Sequence, residues 1–227
     1  MVVKEIFLGS RWDNRGVWYG SPDDRIPKEA GIHNSIPSNK HIVRLQGCGV
    51  YPELRMIRIY QEYCAHGDLY NVLANHFTMQ ETAARAEDGS QLDFPIPAVA
   101  LWYFFQGLAA AACMLRYGKL PDEESRDALE SAIVHRDIRP GNVFLAEPSN
   151  NGTSWPGIPV VKLGDFGLAE MNPTGTVISH ISPPRRGPMG AMAPEEARAR
   201  PEAWRLNQHD TGSYTNIWYV KASNAPI

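Results

Sequence analysis

The sequence predicts an α+β fold arranged in two lobes, and three observations carry that prediction. Short strands dominate the first quarter of the chain. A long uncharged stretch, IPAVALWYFFQGLAAAACML over residues 96–115, predicts a helix near the middle. Two short apolar runs at 143–145 and 160–163 follow it and read as buried strands.

Taken in order, residues 1–8 (MVVKEIFL) are β-branched and apolar enough for a strand. Residues 9–24, rich in Gly, Asp, Ser and Trp, predict a loop. Residues 25–36 carry a weak helical pattern that Pro37 ends. Residues 41–45 and 55–60 predict two strands joined by a turn over 47–52. Gly67-Asp-Leu-Tyr-Asn-Val-Leu starts a short helix, and the polar residues 78–95 predict an inserted loop. After the apolar helix come a charged connector at 122–130 and a loop over 147–159. Beyond Asp165 the chain is turn-rich as far as Pro188, and residues 193–200 predict a short helix.

The uncharged stretch has two readings. About 20 apolar residues span a bilayer, but Pro97, Gln106, Gly107 and a block of alanines favour a helix buried all round in a globular domain. Composition supports the globular reading. Of 227 residues, 43% are hydrophobic and 21% charged, which excludes global disorder and coiled coil. The net charge of −3 excludes a strongly basic nucleic-acid binder. Cys48, Cys64 and Cys113 form no CxxC pair, so neither a zinc knuckle nor a disulfide framework is expected. Free thiols and a charged N-terminus point to an intracellular protein, cytoplasmic or nuclear.

Chemistry concentrates in three motifs. His135-Arg136-Asp137 is followed by Asn142 five positions after Asp137. Asp165-Phe-Gly comes next, and Ala193-Pro194-Glu195 follows. In this order they match H-R-D-x-x-x-x-N, D-F-G and A-P-E, and the chain resembles the eukaryotic protein kinase family over residues 1–218. Its Ile-Arg-Pro-Gly-Asn loop is closer to Ser/Thr than to tyrosine kinases.

The resemblance implies a two-lobed kinase-like fold and transfer of the ATP γ-phosphate to Ser/Thr hydroxyls of a protein substrate, with Mg²⁺. It implies neither a nucleic-acid nor a membrane partner. Asp137 is then the catalytic base, Arg139 (where Lys is usual) a contact near the γ-phosphate, and Asn142 and Asp165 the hard oxygen ligands of the metal. Lys4 resembles the strand lysine that pairs the ATP phosphates, and Glu29 its helical carboxylate partner. Gln61 corresponds to the gatekeeper, and the backbone of Glu62 and Cys64 to the hinge that bonds adenine. A phosphate on one of Thr174, Thr176, Ser179 and Ser182 could pair with Arg136, while for any single one of them a plain polar loop is the favoured reading.

The pattern also departs from the family. No glycine-rich loop precedes Lys4, Pro188 and Ala191 alter the stretch before Ala193, and Asn216 stands where an Asp is usual. The likeness ends after Trp218. The expected architecture is therefore an N-lobe remnant without glycine-loop strands (1–61), a hinge (62–66) and an incomplete, mainly helical C-lobe (67–227). The alternative function is a catalytically impaired binding or scaffold module, or an unstable fragment.

Overall fold

The computed structural model describes residues 1–84, 96–120, 131–148 and 157–173. The Ala193-Pro194-Glu195 motif, the four hydroxyl residues between 174 and 182, Arg185-Arg186, Pro188, Ala191, Asn216, the helix expected at 193–200 and the connector at 122–130 lie outside the described residues.

Strand β1 (Val2–Phe7) begins the chain as the sequence predicts. A long excursion follows, containing β2 (Trp18–Tyr19) and β3 (Ile26–Pro27), which pair antiparallel. It is more ordered than the loop expected over 9–24, because Trp12 and Trp18 meet edge to face at 5.0 Å and bury themselves with Leu8 against Ile57. The Arg25 guanidinium lies over both indoles. Helix α1 (Lys28–Asn34) comes next. A Cβ at Gly31 would collide with the Tyr19 ring, so that close approach requires glycine.

The next strands differ from expectation. Residues 41–43 join no sheet strand. Instead Ile42 bridges in parallel to Leu163, with Val43 N–H donating to the Leu163 carbonyl at 2.9 Å. Strand β4 runs over Leu45–Tyr51, where a turn was expected, and β5 over Met56–Gln61. The turn falls instead at Pro52–Leu54, with Arg55 left-handed at φ 44°. Glycines 47 and 49 are poor strand formers alone. Here the ladder to β5 satisfies the strand, and Tyr51 packs on Gly49. The sheet order is β1-β5-β4, with β5 central and Ile59 fully buried.

Helix α2 (Leu69–Ala84) is longer than the short helix expected and takes the place of the expected loop over residues 78–84, the rest of that loop, 85–95, lying outside the described residues. Asp68 caps it by accepting from the Asn71 N–H at 2.8 Å. Thr78 and Thr82 hydroxyls donate to carbonyls one turn back, so its polar residues stay helical.

The uncharged stretch is helix α3 (Ala98–Tyr117), ended by Gly118 in the left-handed region at φ 70°. It buries one face through Tyr103, Phe104, Gly107, Leu108, Ala111, Met114 and Leu115. Val99, Leu101, Trp102 and Phe105 are exposed, so burial all round is corrected to burial of one face among the described residues. The buried face packs against two strands, β6 (Ser131–Val134) and β8 (Val160–Leu163), and Gly107 admits the His41 ring.

Strand β7 (Val143–Ala146) forms where a strand was expected, and it pairs antiparallel with β8. The turn-rich reading beyond Asp165 is corrected by β9 (Glu170–Pro173), which pairs antiparallel with β6 and sets Val134 opposite Glu170. The main core joins Ile32, Ile42, Leu108, Leu115, Ile133, Leu145, Leu163 and Phe166. The short β6–β9 and β7–β8 ladders therefore rest on α3 with their connecting loops at one end.

Candidate active site

Those loops carry the polar residues. His135 is fully buried, one residue after β6. Its Nε2 donates to the Gly164 carbonyl at 3.0 Å, and its Nδ1 accepts from the Asp137 N–H at 3.2 Å. Only the neutral ring satisfies both bonds. Burial agrees, pushing the imidazole down to about 4. Arg136 turns the chain in the left-handed region at φ 66°, which non-glycine residues seldom occupy.

Asp137 is then held from two sides. The Asn142 amide donates to its carbonyl at 2.8 Å and to its Oδ2 at 2.7 Å. The Arg139 Nε donates to both carboxylate oxygens at 3.2 and 3.3 Å. Arg139 thus sits on the carboxylate of the expected base. Both protons of the Asn142 amide are engaged, which leaves its Oδ1 as an acceptor. The Asn142 backbone carbonyl receives the Gly164 N–H at 3.0 Å, tying this loop to the residue before Asp165.

Asp165 is left-handed at φ 58° and accepts from the Gly167 N–H. Its Oδ1 receives the Lys4 ammonium at 2.7 Å, and Lys4 also reaches Glu29 at 2.9 Å. Residues 4, 29 and 165 therefore meet, although the sequence offered only a loose match for Lys4 and Glu29. Burial works against all three charges. It dominates at Glu29, whose carboxyl is raised despite the ammonium beside it. At Asp165 the tendency of burial to raise the pKa is outweighed by the Lys4 hydrogen bond and charge, leaving it below the usual range. At Lys4 the two carboxylates outweigh burial, so the ammonium is held above 10.5.

Phe166 packs behind this cluster, nearly fully buried between the rings of His33 on α1 (4.5 Å) and His135 (4.9 Å). The sequence reading gave neither histidine a role. His33, alone on a helix face, carries no signal of what it will meet, and His135 entered only as a member of its motif.

The segment after β5 connects the sheet to α2. The Glu62 carboxylate accepts from the Arg44 N–H at 2.7 Å and pairs with Lys162 at 2.9 Å. Its backbone N–H is used by the Arg44 carbonyl, and the Cys64 carbonyl by the Gly67 N–H. The Glu62 carbonyl and Cys64 N–H take no partner among the described residues. The buried Cys64 thiol is pushed up to about 11 by burial first and the Glu62 charge second, which keeps it protonated.

A small sheet, a helix clamped to it by an ion pair, and a loop holding Asp137 and Asn142 beside Asp165 define a protein kinase-like fold. A family model described as "Protein tyrosine and serine/threonine kinase" matches residues 21–203, more than half of the chain, and the chain belongs to that family. It is 32% identical over 173 residues to the G2-specific protein kinase fin1 of Schizosaccharomyces pombe, covering 74% of this chain and 21% of that protein. It is 31% identical over 127 residues to the G2-specific protein kinase nimA of Emericella nidulans, covering 50% and 15%. With the serine/threonine-protein kinase CHK1 of Saccharomyces cerevisiae the identity is 26% over 176 residues, covering 78% and 26%. The chain thus spans about a quarter or less of the length of these relatives.

Proposed function

We propose that this chain is a serine/threonine kinase catalytic domain that passes the γ-phosphate of ATP to hydroxyls of a protein substrate. One observation carries the reading. Lys4, Glu29 and Asp165 meet in one cluster, and the Asn142–Gly164 bond fastens that cluster to the loop holding Asp137.

ATP and Mg²⁺ fit the residues present. The Glu62 carbonyl and Cys64 N–H form an open acceptor and donor pair, the pattern an adenine edge requires. Asn142 Oδ1 and the Asp165 carboxylate offer hard oxygens, and Mg²⁺ is characteristically held by one or two such groups with phosphates and water completing its shell. Among the described residues no three His, Cys, Asp or Glu side chains cluster for a metal, which suits a cation that completes its shell elsewhere. When bound, Mg·ATP supplies the transferable phosphoryl group and neutralises its charge.

The protein's own residues do the rest. Asp137, fixed by Asn142, accepts the proton of the substrate hydroxyl and aims its oxygen. Lys4 is a cation held ready for phosphate oxygens, with Glu29 preventing its collapse onto Asp165 alone. Arg139 orients the Asp137 carboxylate, and it is exposed enough to turn toward phosphate. In this reading residues 1–61 belong to the N-lobe, 62–66 to the hinge and 67–227 to the C-lobe. All three cysteines are free, which supports a cytoplasmic or nuclear setting.

The test is phosphate transfer by the purified chain to a generic basic protein with Mg·ATP. Transfer is expected from wild type and not from Asp165→Ala. Transfer unchanged in Asp165→Ala would sink the site assignment.

A further inference from the structure

Arg136 precedes the expected base, and its position is fixed by the β6–β9 ladder. The register sets Val134 opposite Glu170, so Glu170 arrives beside the Arg136 side chain. The Arg136 Nη1 lies 3.8 Å from Glu170 Oε1, with both side chains more than nine-tenths buried. The same Oε1 receives Lys28 Nζ at 2.6 Å. Lys28 is the first residue of α1 and the neighbour of Glu29. One carboxylate therefore joins the loop of the expected base to the helix that holds Lys4.

A phosphate opposite an arginine orders a segment by supplying anionic oxygens. Those oxygens are already present here. We propose that Glu170 is a built-in substitute for such a phosphate. It is a positioning residue that couples α1 to the catalytic loop, so the active arrangement needs no phosphorylation of Thr174, Thr176, Ser179 or Ser182. The coupling is double. Residues 28 and 29 of α1 are bound to Glu170 and, through Lys4, to Asp165. A rotation of α1 breaks both links together. On this proposal no phosphate is needed beside Arg136, because a second anion would enter a site where Arg136 and Lys28 already face a buried carboxylate.

This inference rests on the kinase reading, and its test separates the two. The full chain is assayed as wild type, as a fourfold alanine variant at Thr174, Thr176, Ser179 and Ser182, and as Lys28→Gln, Lys28→Arg, Glu170→Gln and the Lys28→Gln/Glu170→Gln double variant. The fourfold variant is expected to keep the wild-type kcat within about twofold. Lys28→Gln and Glu170→Gln are each expected to lose about tenfold in kcat/KM, within the usual range of coupling between sites. Lys28→Arg restores most of that loss, and the double variant is no worse than either single one. Lys28 is partly exposed, so its substitution leaves folding intact if Glu170→Gln does not.

A tenfold or greater loss in the fourfold variant overturns the proposal, as does Lys28→Gln at the wild-type rate. Additive losses in the double variant overturn it as well. In each of those cases Asp165-dependent transfer by wild type leaves the kinase reading standing. No transfer by wild type overturns the kinase reading itself and the inference with it.

Discussion

The two halves of the site are held by different forces. On one side Lys4, Glu29 and Asp165 form a charged cluster, with the lysine and aspartate side chains 34% and 37% exposed. On the other, His135, Asn142 and the Asp137 backbone form a buried network of hydrogen bonds through a neutral imidazole and an amide. The charged half has partners that exchange. Lys4 bridges two carboxylates, and losing one leaves the other. The buried half has no such redundancy, since each donor meets its acceptor in a place without water. A site of the proposed function gains from that division. Under the proposed reading, the carboxylate assigned as base is fixed, while the cation assigned to phosphate can move from protein oxygens to ligand oxygens.

The comparison can be broken by substitution and by pH. The largest effect is expected from Asp137→Asn, which keeps the shape of the buried half and removes its proposed base. The kcat falls by about 10²–10⁴-fold with an unchanged KM for ATP, read in the same transfer assay. The melting temperature stays near wild type.

Acid should strike the buried half first. The folded-state pKa of His135 is about 4, below its ordinary 6.5. Between these values the unfolded chain binds the extra proton, so stability is full above pH 6.5 and drains as pH falls toward 4. The loss from His135 alone is on the order of 3 kcal/mol by pH 4. Burial lowers His33 and His41 in the same direction. Asp165 lies below its ordinary 3.8 and keeps its charge through this window, while Glu29, raised by burial, loses its charge earlier. Denaturant titrations at pH 7, 6, 5 and 4 check this. A midpoint that does not move would contradict the neutral buried imidazole.

Asn142→Ala removes both bonds to Asp137 and strands a buried carbonyl. It is expected to destabilise the fold by about 1–3 kcal/mol, measured by urea unfolding, and to lower kcat as well. Glu29→Gln tests the redundancy of the charged half. Lys4 retains Asp165, so the melting temperature should hold while the KM for ATP rises about tenfold. A large loss of stability in that variant would make the two halves alike. The smallest effect is expected from Glu5→Gln, which breaks the exposed pair with Arg58 on the outer face of the sheet. Neither activity nor melting temperature should change measurably.

How legible each half was follows its range in sequence. Asp137 and Asn142 lie five residues apart in one short motif, so the sequence brought both forward as site residues, though not the bond between them. Lys4 and Glu29 are 25 residues apart across the Trp12–Trp18 excursion, and a lysine near the start of a strand looks like any exposed lysine. Glu170 was missed altogether. A single glutamate in a turn-rich stretch carries no signal until a β-ladder places it opposite Val134. The shift of β4 to Leu45–Tyr51 has the same origin, since two glycines deny it a strand pattern and only pairing with β5 makes it one.

By itself the sequence determined the α+β class, the central apolar helix, and the identity and order of Asp137, Asn142 and Asp165. Those features depend on local pattern, which neighbouring residues write directly. Only the tertiary structure decided that Lys4 holds both Glu29 and Asp165, that Arg139 lies on Asp137, and that Arg136 and Lys28 share Glu170. Charges attract whatever oppositely charged group the fold brings within a few ångströms. Which group that is depends on register, helix rotation and loop closure, and none of these is written at the residue that benefits.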